Sequence, residues 1–185
     1  IPKRDWSSDV CSSDLQGKLS KKTVVGTVMS NLGFIKSMES SGIIVERTAV
    51  GDRYVLEKML EHNFNLGGEQ SGHVIMRDFS NTGDGLLTAL QIMQVMVTSQ
   101  KSLSELASNM NKFPQVLINI KDIQKEKLSS SETIRDAIKA AEQELEGIGR
   151  VLVRASGTES IVRVMVEANE LQLAEKIAEI GRAHV

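Results

Sequence analysis

Three short stretches concentrate the residues that could do chemistry. Gly68-Glu-Gln-Ser-Gly-His73 sets a carboxylate, an amide, a hydroxyl and an imidazole between glycines. Glu69 can accept from two hydroxyls, Ser71 can donate or accept, and His73 can donate to a phosphate or hydroxyl oxygen. Such a set suits a polyhydroxylated ligand, and the glycines let backbone approach it closely. An ordinary polar loop has the same composition. The hydrolase elbow Gly-x-Ser-x-Gly is not formed, because the serine stands one position late.

Arg154-Ala-Ser-Gly-Thr-Glu159 lies between two apolar runs. It offers a guanidinium fork, the hydroxyls of Ser156 and Thr158, and backbone N–H groups freed by a turn at Gly157. These are the parts of a phosphate cradle. Arg163 adds charge if its face of the strand turns the same way. A hairpin turn with a surface arginine fits the spacing equally well, and the chain has no Walker A loop. The third stretch, Val50-Gly-Asp-Arg-Tyr54, sits at a strand-to-helix junction, where ligands bind in open α/β sheets. There Gly51, Asp52 and Arg53 are candidates, although Asp52 could equally be a helix N-cap. Asp84, in Asn81-Thr-Gly-Asp-Gly85, reads better as a turn and N-cap. It has no neighbouring carboxylate at metal-ligand spacing. His62 falls at a helix end and reads as solvent-facing.

These stretches must be carried by alternating elements. The β-branched run Thr23–Met29 predicts a buried strand. Ser30-Asn31 offers an N-cap to a short helix that Ser40-Ser-Gly42 ends. A second strand starts at Ile43, and Asp52 to His62 predicts a helix. This alternation predicts an α/β fold, a three-layer α/β/α domain with a mostly parallel sheet. Leu66 to Met76 reads as a loop entering a strand. Asp84 to Thr98 is apolar around most of a helix, which predicts burial between layers. Ser102-Leu-Ser-Glu105 is a capping box.

The pattern breaks at Asn109 to Pro114, so residues 16–108 are assigned to the first domain and 109–179 to the second. The second reads as a strand over Val116–Ile120, then a helix from the capping box Ser129–Glu132 to Glu146. Strands Val151–Val153 and Ile161–Val166 and a helix Leu171–Ala178 follow. The order β-α-β-β-α predicts a small α+β domain.

Composition narrows the function classes. The chain has 185 residues, 41% hydrophobic and 25% charged, with a net charge of −2. No apolar run is long enough to span a bilayer, and the charge balance suits neither nucleic acid nor an anionic membrane. A single cysteine, Cys11, excludes a disulfide framework or a thiolate zinc site. The ends differ from the middle. Asp5–Leu15 has no period, and both it and Ile180–Val185 resemble reading frames of a synthetic sequencing adapter. Residues 1–15 are therefore expected to be an artefactual or disordered leader, and residues 180–185 an artefactual tail.

In order, Thr27-Val-Met-Ser-Asn-Leu-Gly33, Val50-Gly-Asp-Arg-Tyr-Val55, Gly67-Gly-Glu-Gln-Ser-Gly-His73, Thr82-Gly-Asp-Gly-Leu-Leu87 and Arg154-Ala-Ser-Gly-Thr-Glu159 resemble the α-D-phosphohexomutase family. They resemble most its bacterial branch acting on glucosamine phosphates, which Gln70 fits. The resemblance covers Lys18 to about Glu179. It implies a four-domain enzyme, of which this chain is the third domain, N-terminally truncated, and the fourth. By resemblance, Glu69 and Ser71, with Gly51, Asp52 and Arg53, bind sugar hydroxyls, and His73 lies near the reacting phosphate. Arg154, Ser156, Gly157 and Thr158, with Arg163, grip the other phosphate. Ala155 and Ser160 depart from the usual loop, which often has proline after the glutamate. That bears on loop rigidity, not on the phosphate contacts.

The implied reaction is an isomerisation of glucosamine 6-phosphate to glucosamine 1-phosphate. It runs through a phosphoserine and a glucosamine 1,6-bisphosphate intermediate, and serves peptidoglycan precursor synthesis in the cytoplasm. The phosphoserine and the Mg²⁺-holding loop have no counterpart here, so no catalytic or metal residue is assigned and the chain alone is expected to be inactive. Its expected partners are the phosphorylated amino sugar and the N-terminal domains of the same protein, with no membrane or nucleic acid. Alternatives are a mutase for mannose or glucose phosphates, or a stand-alone phosphosugar-binding module.

Overall fold

The computed structural model describes residues 18–121, 131–156 and 160–184. It divides into two compact units, Ile1–Lys112 and Phe113–Val185. The expected leader, the Ser129 cap and the loop residues Gly157, Thr158 and Glu159 lie outside the described residues. So does Val185 of the expected tail.

The first unit holds the strands β1 (Thr23–Thr27), β2 (Ile44–Thr48), β3 (Leu66–Gly68) and β4 (Val74–Met76) in the order β2-β1-β3-β4. β1 pairs in parallel with β2 and β3, and β4 closes the sheet antiparallel to β3. Successive strand residues point to opposite faces. Val24 accordingly joins a core with Phe34, Ile35 and Met38 of helix α1 (Leu32–Ser40). Val25 joins a separate core with Val55 and Met59 of helix α2 (Asp52–His62), together with Phe64 and Ile75. A helix on each face of the sheet makes the expected three layers. Complete burial of such side chains is worth about 1.5–3 kcal/mol each.

Local chemistry sets the helix ends. The Asn31 side chain accepts from Gly33 N–H at the start of α1. Gly42 follows the end of α1 with φ +72°, a conformation glycine adopts without strain. Ser102 and Glu105 form the expected capping box on a short helix, α4 (Leu103–Ala107), which follows α3 (Gly85–Ser99).

Two expectations are corrected. Leu66–Gly68 is a buried strand, not a loop. Its two glycines read as loop signals, but Gly67 serves packing: a Cβ there would stand 2.6 Å from Met59 Sδ and 2.8 Å from Val55 Cγ1. Helix α3 is not buried between layers. Only Thr88 of the helix is buried, while Leu86 and Val97 are each 73% exposed and Leu90 and Met93 about half exposed. Its apolarity is real, but among the described residues little covers it. The first unit runs to Lys112. Met110 packs in the α1 core, and Ser37 Oγ donates to Asn109 O, so this stretch belongs with the first unit.

The second unit contains β5 (Gln115–Lys121), α5 (Glu132–Glu144), β6 (Gly149–Ala155), β7 (Ile161–Ala168) and α6 (Leu171–His184), in the expected β-α-β-β-α order. The sheet order is β5-β7-β6, antiparallel throughout. Val164, Val166 and Ala168 of β7 pack with Ala141 at α5 and with Ala174 and Ile177 of α6. The alternate residues, including Arg163 and Glu167, therefore occupy the other face. Helix α5 is capped by Ser131, whose side chain accepts from Ile134 N–H. Helix α6 continues past Ala178 to His184.

Candidate sugar and phosphate loops

The loop after β3 is shaped by its own backbone. Gly72 N–H donates to Glu69 O, and Glu69 N–H donates to His73 O, each at 3.0 Å. Gly72 completes the turn with φ +100°. This hairpin gathers the side chains of residues 69, 71 and 73. The Ser71 hydroxyl lies 2.6 Å from Glu69 Oε1, and the imidazole Nδ1 lies 2.9 Å from Ser71 Oγ and 3.2 Å from Glu69 Oε1. Serine has one hydroxyl proton, which the carboxylate takes. The hydroxyl oxygen then accepts from a protonated Nδ1. Nε2 is left for an external partner: an acceptor when the ring is neutral, a donor when it is charged. The Glu69 side chain is 12% exposed and that of His73 56% exposed, so the carboxylate is recessed and the imidazole reaches solvent. Gly83 stands beside this ring; a Cβ there would lie 3.4 Å from His73 Cβ.

Gly51, Asp52 and Arg53 follow β2 at the same carboxyl edge of the sheet. Since β1 lies between β2 and β3, the two loops are separated by two strand spacings, about 10 Å. Gly51 takes the N-cap position with φ +133°, so Asp52 opens α2 as its first residue and is not its cap. Asp52 Oδ1 accepts from Arg53 N–H at 2.8 Å. Arg53 Nε pairs with Glu57 one helical turn on at 2.8 Å, largely exposed. Asp84 is the N-cap of α3, accepting from Leu86 and Leu87 N–H groups. The His62 ring stacks on Phe64 with centroids 5.5 Å apart.

In the second unit, Arg154 of β6 stands in register with Arg163 of β7. Directly opposed antiparallel residues share a face, so the condition set for Arg163 is met. Arg154 Nε is buried without a hydrogen-bond partner in the structure. Burial lowers the pKa of its guanidinium, and the neighbouring Arg163 charge lowers it further. Buried donors of this kind ordinarily have a partner, and a charge-assisted bond to an anion is the strongest available. Ser156, buried, donates its N–H to Ile161 O at 2.9 Å and so holds the strand ends together.

Two further residues escaped the sequence reading. Arg77 follows β4 and donates from one guanidinium nitrogen to Met59 O and Phe64 O, fastening the hairpin to the end of α2. Glu167, fully buried, pairs with Arg150 at 2.7 Å. Charges within strands read as solvent-facing, so only the register could reveal that pair.

Among the described residues no three His, Cys, Asp or Glu side chains come together as metal ligands. Among them, too, no helix is long and apolar enough to cross a membrane.

The chain is thus an α/β/α unit followed by a small antiparallel α+β unit. The chain belongs to the phosphoglucomutase/phosphomannomutase family: residues 7–113 match its alpha/beta/alpha domain III and residues 117–182 its C-terminal domain. Its relatives include phosphoglucosamine mutase of Anoxybacillus flavithermus, 52% identical over 179 residues, and that of Bacillus cytotoxicus, 51% identical over 173. These alignments cover 94% and 91% of this chain but only 40% and 39% of those proteins. The chain thus spans about 40% of the length of the curated relatives it matches.

Among solved structures, N-acetylglucosamine-phosphate mutase in its substrate complex superposes with a TM-score of 0.79 at 21% identity, covering 96% of this chain and 42% of that one. The Aspergillus fumigatus N-acetylphosphoglucosamine mutase, bound to GlcNAc-6P and magnesium, gives 0.75 at 18% identity, covering 95% and 41%. These two likenesses establish the fold.

Proposed function

We propose that this chain is the sugar- and phosphate-gripping part of a phosphoglucosamine mutase, which interconverts glucosamine 6-phosphate and glucosamine 1-phosphate. The observation that carries the reading is the Glu69–Ser71–His73 cluster in a chain about half identical to phosphoglucosamine mutases. Glu69 accepts from sugar hydroxyls, Ser71 holds the carboxylate and imidazole in one geometry, and His73 Nε2 meets the reacting end. Gly51, Asp52 and Arg53 bound the sugar from the next loop. Arg154, Ser156 and Arg163, with Gly157 and Thr158, hold the phosphate that does not react.

Phosphoryl transfer depends chiefly on positioning and on stabilising charge. A 1,6-bisphosphate intermediate must present both of its ends in turn to one phosphoserine. A fixed phosphate grip and a sugar loop that takes hydroxyls in either orientation meet that need. The phosphoserine and the magnesium belong, on this reading, to the part of the whole protein outside this chain. The whole enzyme would work in the cytoplasm, supplying an amino-sugar phosphate for peptidoglycan precursors.

Titrating the 185-residue chain with glucosamine 6-phosphate while recording amide spectra tests the reading. Saturable shifts at residues 69–73 and 154–156, without turnover, are expected. No saturable shift at either loop overturns it. Preference for mannose 6-phosphate would favour the other branch of the family.

A further inference from the structure

The hydrogen bonds of His73 within the hairpin hold one ring atom. Its Nδ1 lies 2.9 Å from Ser71 Oγ and 3.2 Å from Glu69 Oε1. A single held atom leaves the ring able to swing, because the outer torsion of an imidazole is broad. A second support lies on the opposite edge. Nδ1 and Cδ2 flank the ring carbon bonded to Cβ, and Nε2 is attached to Cδ2. A Cβ added to Gly83 would stand 3.5 Å from His73 Cδ2, 3.4 Å from His73 Cβ and 3.7 Å from Val74 O. Those are ordinary contact distances, so a methyl group fits there and nothing larger fits in that direction. The Gly83 backbone is not left-handed, so conformation does not demand glycine. The space beside the imidazole is what restricts the residue.

Gly83 is itself held through its neighbour. Asp84 Oδ1 accepts from the N–H groups of Leu86 at 2.9 Å and Leu87 at 3.0 Å. The Asp84 carbonyl accepts from Thr88 N–H at 3.0 Å and from the Thr88 hydroxyl at 2.7 Å. Thr88 is the buried residue of α3. The first turn of a 15-residue helix therefore fixes the residue next to the one that borders the imidazole.

We propose that Gly83 is a positioning residue: held by the cap of α3, it backs the Cδ2 edge of the His73 ring and so sets where Nε2 points. Its use in the reaction rests on the reading that Nε2 meets the reacting end of the sugar phosphate. Ser71 and Glu69 hold one edge of the ring and Gly83 limits the other. The size of the side chain at position 83 thereby decides whether the ring keeps its direction.

Ring spectra of the 185-residue chain test the contact without any ligand. A cross-relaxation peak is expected between Gly83 Hα and the His73 proton on Cδ2, together with a hydrogen-bonded proton on Nδ1. Both signals should survive in Gly83→Ala. Valine carries two methyl groups on Cβ, so in Gly83→Val the ring should turn and the Nδ1 proton lose its hydrogen bond. Unmoved Leu86 and Leu87 amide resonances show that the cap, and with it the fold, is intact. Should Gly83→Val not fold, Asp84 decides: Asp84→Ala should weaken the peak, and Asp84→Ser, which returns a capping oxygen, should restore it. In the whole enzyme Gly83→Val should lower kcat on the order of a hundredfold and leave KM within about threefold, as displacement of a group at the reacting end requires. No peak in the unaltered chain, loss of the signals already in Gly83→Ala, a ring unmoved by Gly83→Val, or a peak undiminished in Asp84→Ala overturns the inference and leaves the proposed function standing. A ring that turns while kcat holds overturns instead the role given to His73, and the use of this contact with it.

Discussion

Arg150 and Glu167 face each other in register across β6 and β7, and the Glu167 carboxylate is completely buried against the Arg150 guanidinium at 2.7 Å. Four residues along the same strands, the opposed pair is Arg154 and Arg163. One face of the hairpin thus holds an ion pair towards one end and two opposed arginines towards the other. The ion pair anchors the strands whose ends carry the candidate phosphate grip.

Removing one member of a buried ion pair leaves the other desolvated and unpaired. Glu167→Ala should therefore lower the stability of the chain by about 3–5 kcal/mol, nearer the lower figure because Arg150 retains some exposure. Replacing both together, as Arg150→Met with Glu167→Leu, should recover most of the loss. Denaturant unfolding of the three chains measures this. A Glu167→Ala loss below about 1 kcal/mol, typical of surface pairs, would contradict it.

Ser71 ties Glu69 and His73 together, so Ser71→Ala should disturb both at once. In the whole enzyme a fall in kcat/KM of roughly ten- to a hundredfold is expected, with the fold intact. Steady-state kinetics with a melting control reads this. Unchanged kinetics would mean that the cluster is only a structural feature of the hairpin.

Hydrogen bonds from the Ser102 hydroxyl and backbone N–H hold the Glu105 carboxyl below the ordinary glutamate range. A depressed folded pKa stabilises the fold above the unfolded pKa, and that contribution is lost as pH falls through the folded value. The cap on α4 should therefore be complete at neutral pH and open only in acid. Carboxyl-carbon spectra of Glu105 should show a low titration midpoint that rises in Ser102→Ala. A midpoint at the ordinary value in both would refute the cap.

Much of this architecture was legible from residue order alone. Asp52–His62 is helical over the span its pattern predicts, and Ser102-Leu-Ser-Glu105 forms its capping box, because both depend on neighbours within one or two turns. Val24 and Val25 lie in a β-branched run, which signals a strand buried on both faces. What could not be read depends on distant partners. Gly67 looks like a loop residue until Met59 and Val55 are found against it. Leu86, Leu90, Met93 and Val97 show that α3 is apolar, but not whether anything covers it. The candidate loops stood out by residue type. That Ser71 bridges Glu69 and His73, and that Arg163 faces Arg154, required the turn geometry and the strand register.

The uncovered side of α3 has a consequence in solution. Exposed apolar surface of this kind promotes self-association. The chain should associate in a concentration-dependent manner in sedimentation experiments. Substituting Leu90, Met93 and Val97 together with glutamine should suppress association without loss of helix content. A chain that remains monomeric at high concentration would show that this surface is innocuous.

Turnover by the whole enzyme, compared across sugars, tests the central claim most directly. Conversion of glucosamine 6-phosphate to glucosamine 1-phosphate should exceed that of glucose 6-phosphate and mannose 6-phosphate by about tenfold or more in kcat/KM, the scale on which a few polar contacts discriminate. The 185-residue chain alone should show no turnover. A preference for glucose or mannose phosphate, or conversion by this chain unaided, would contradict the account.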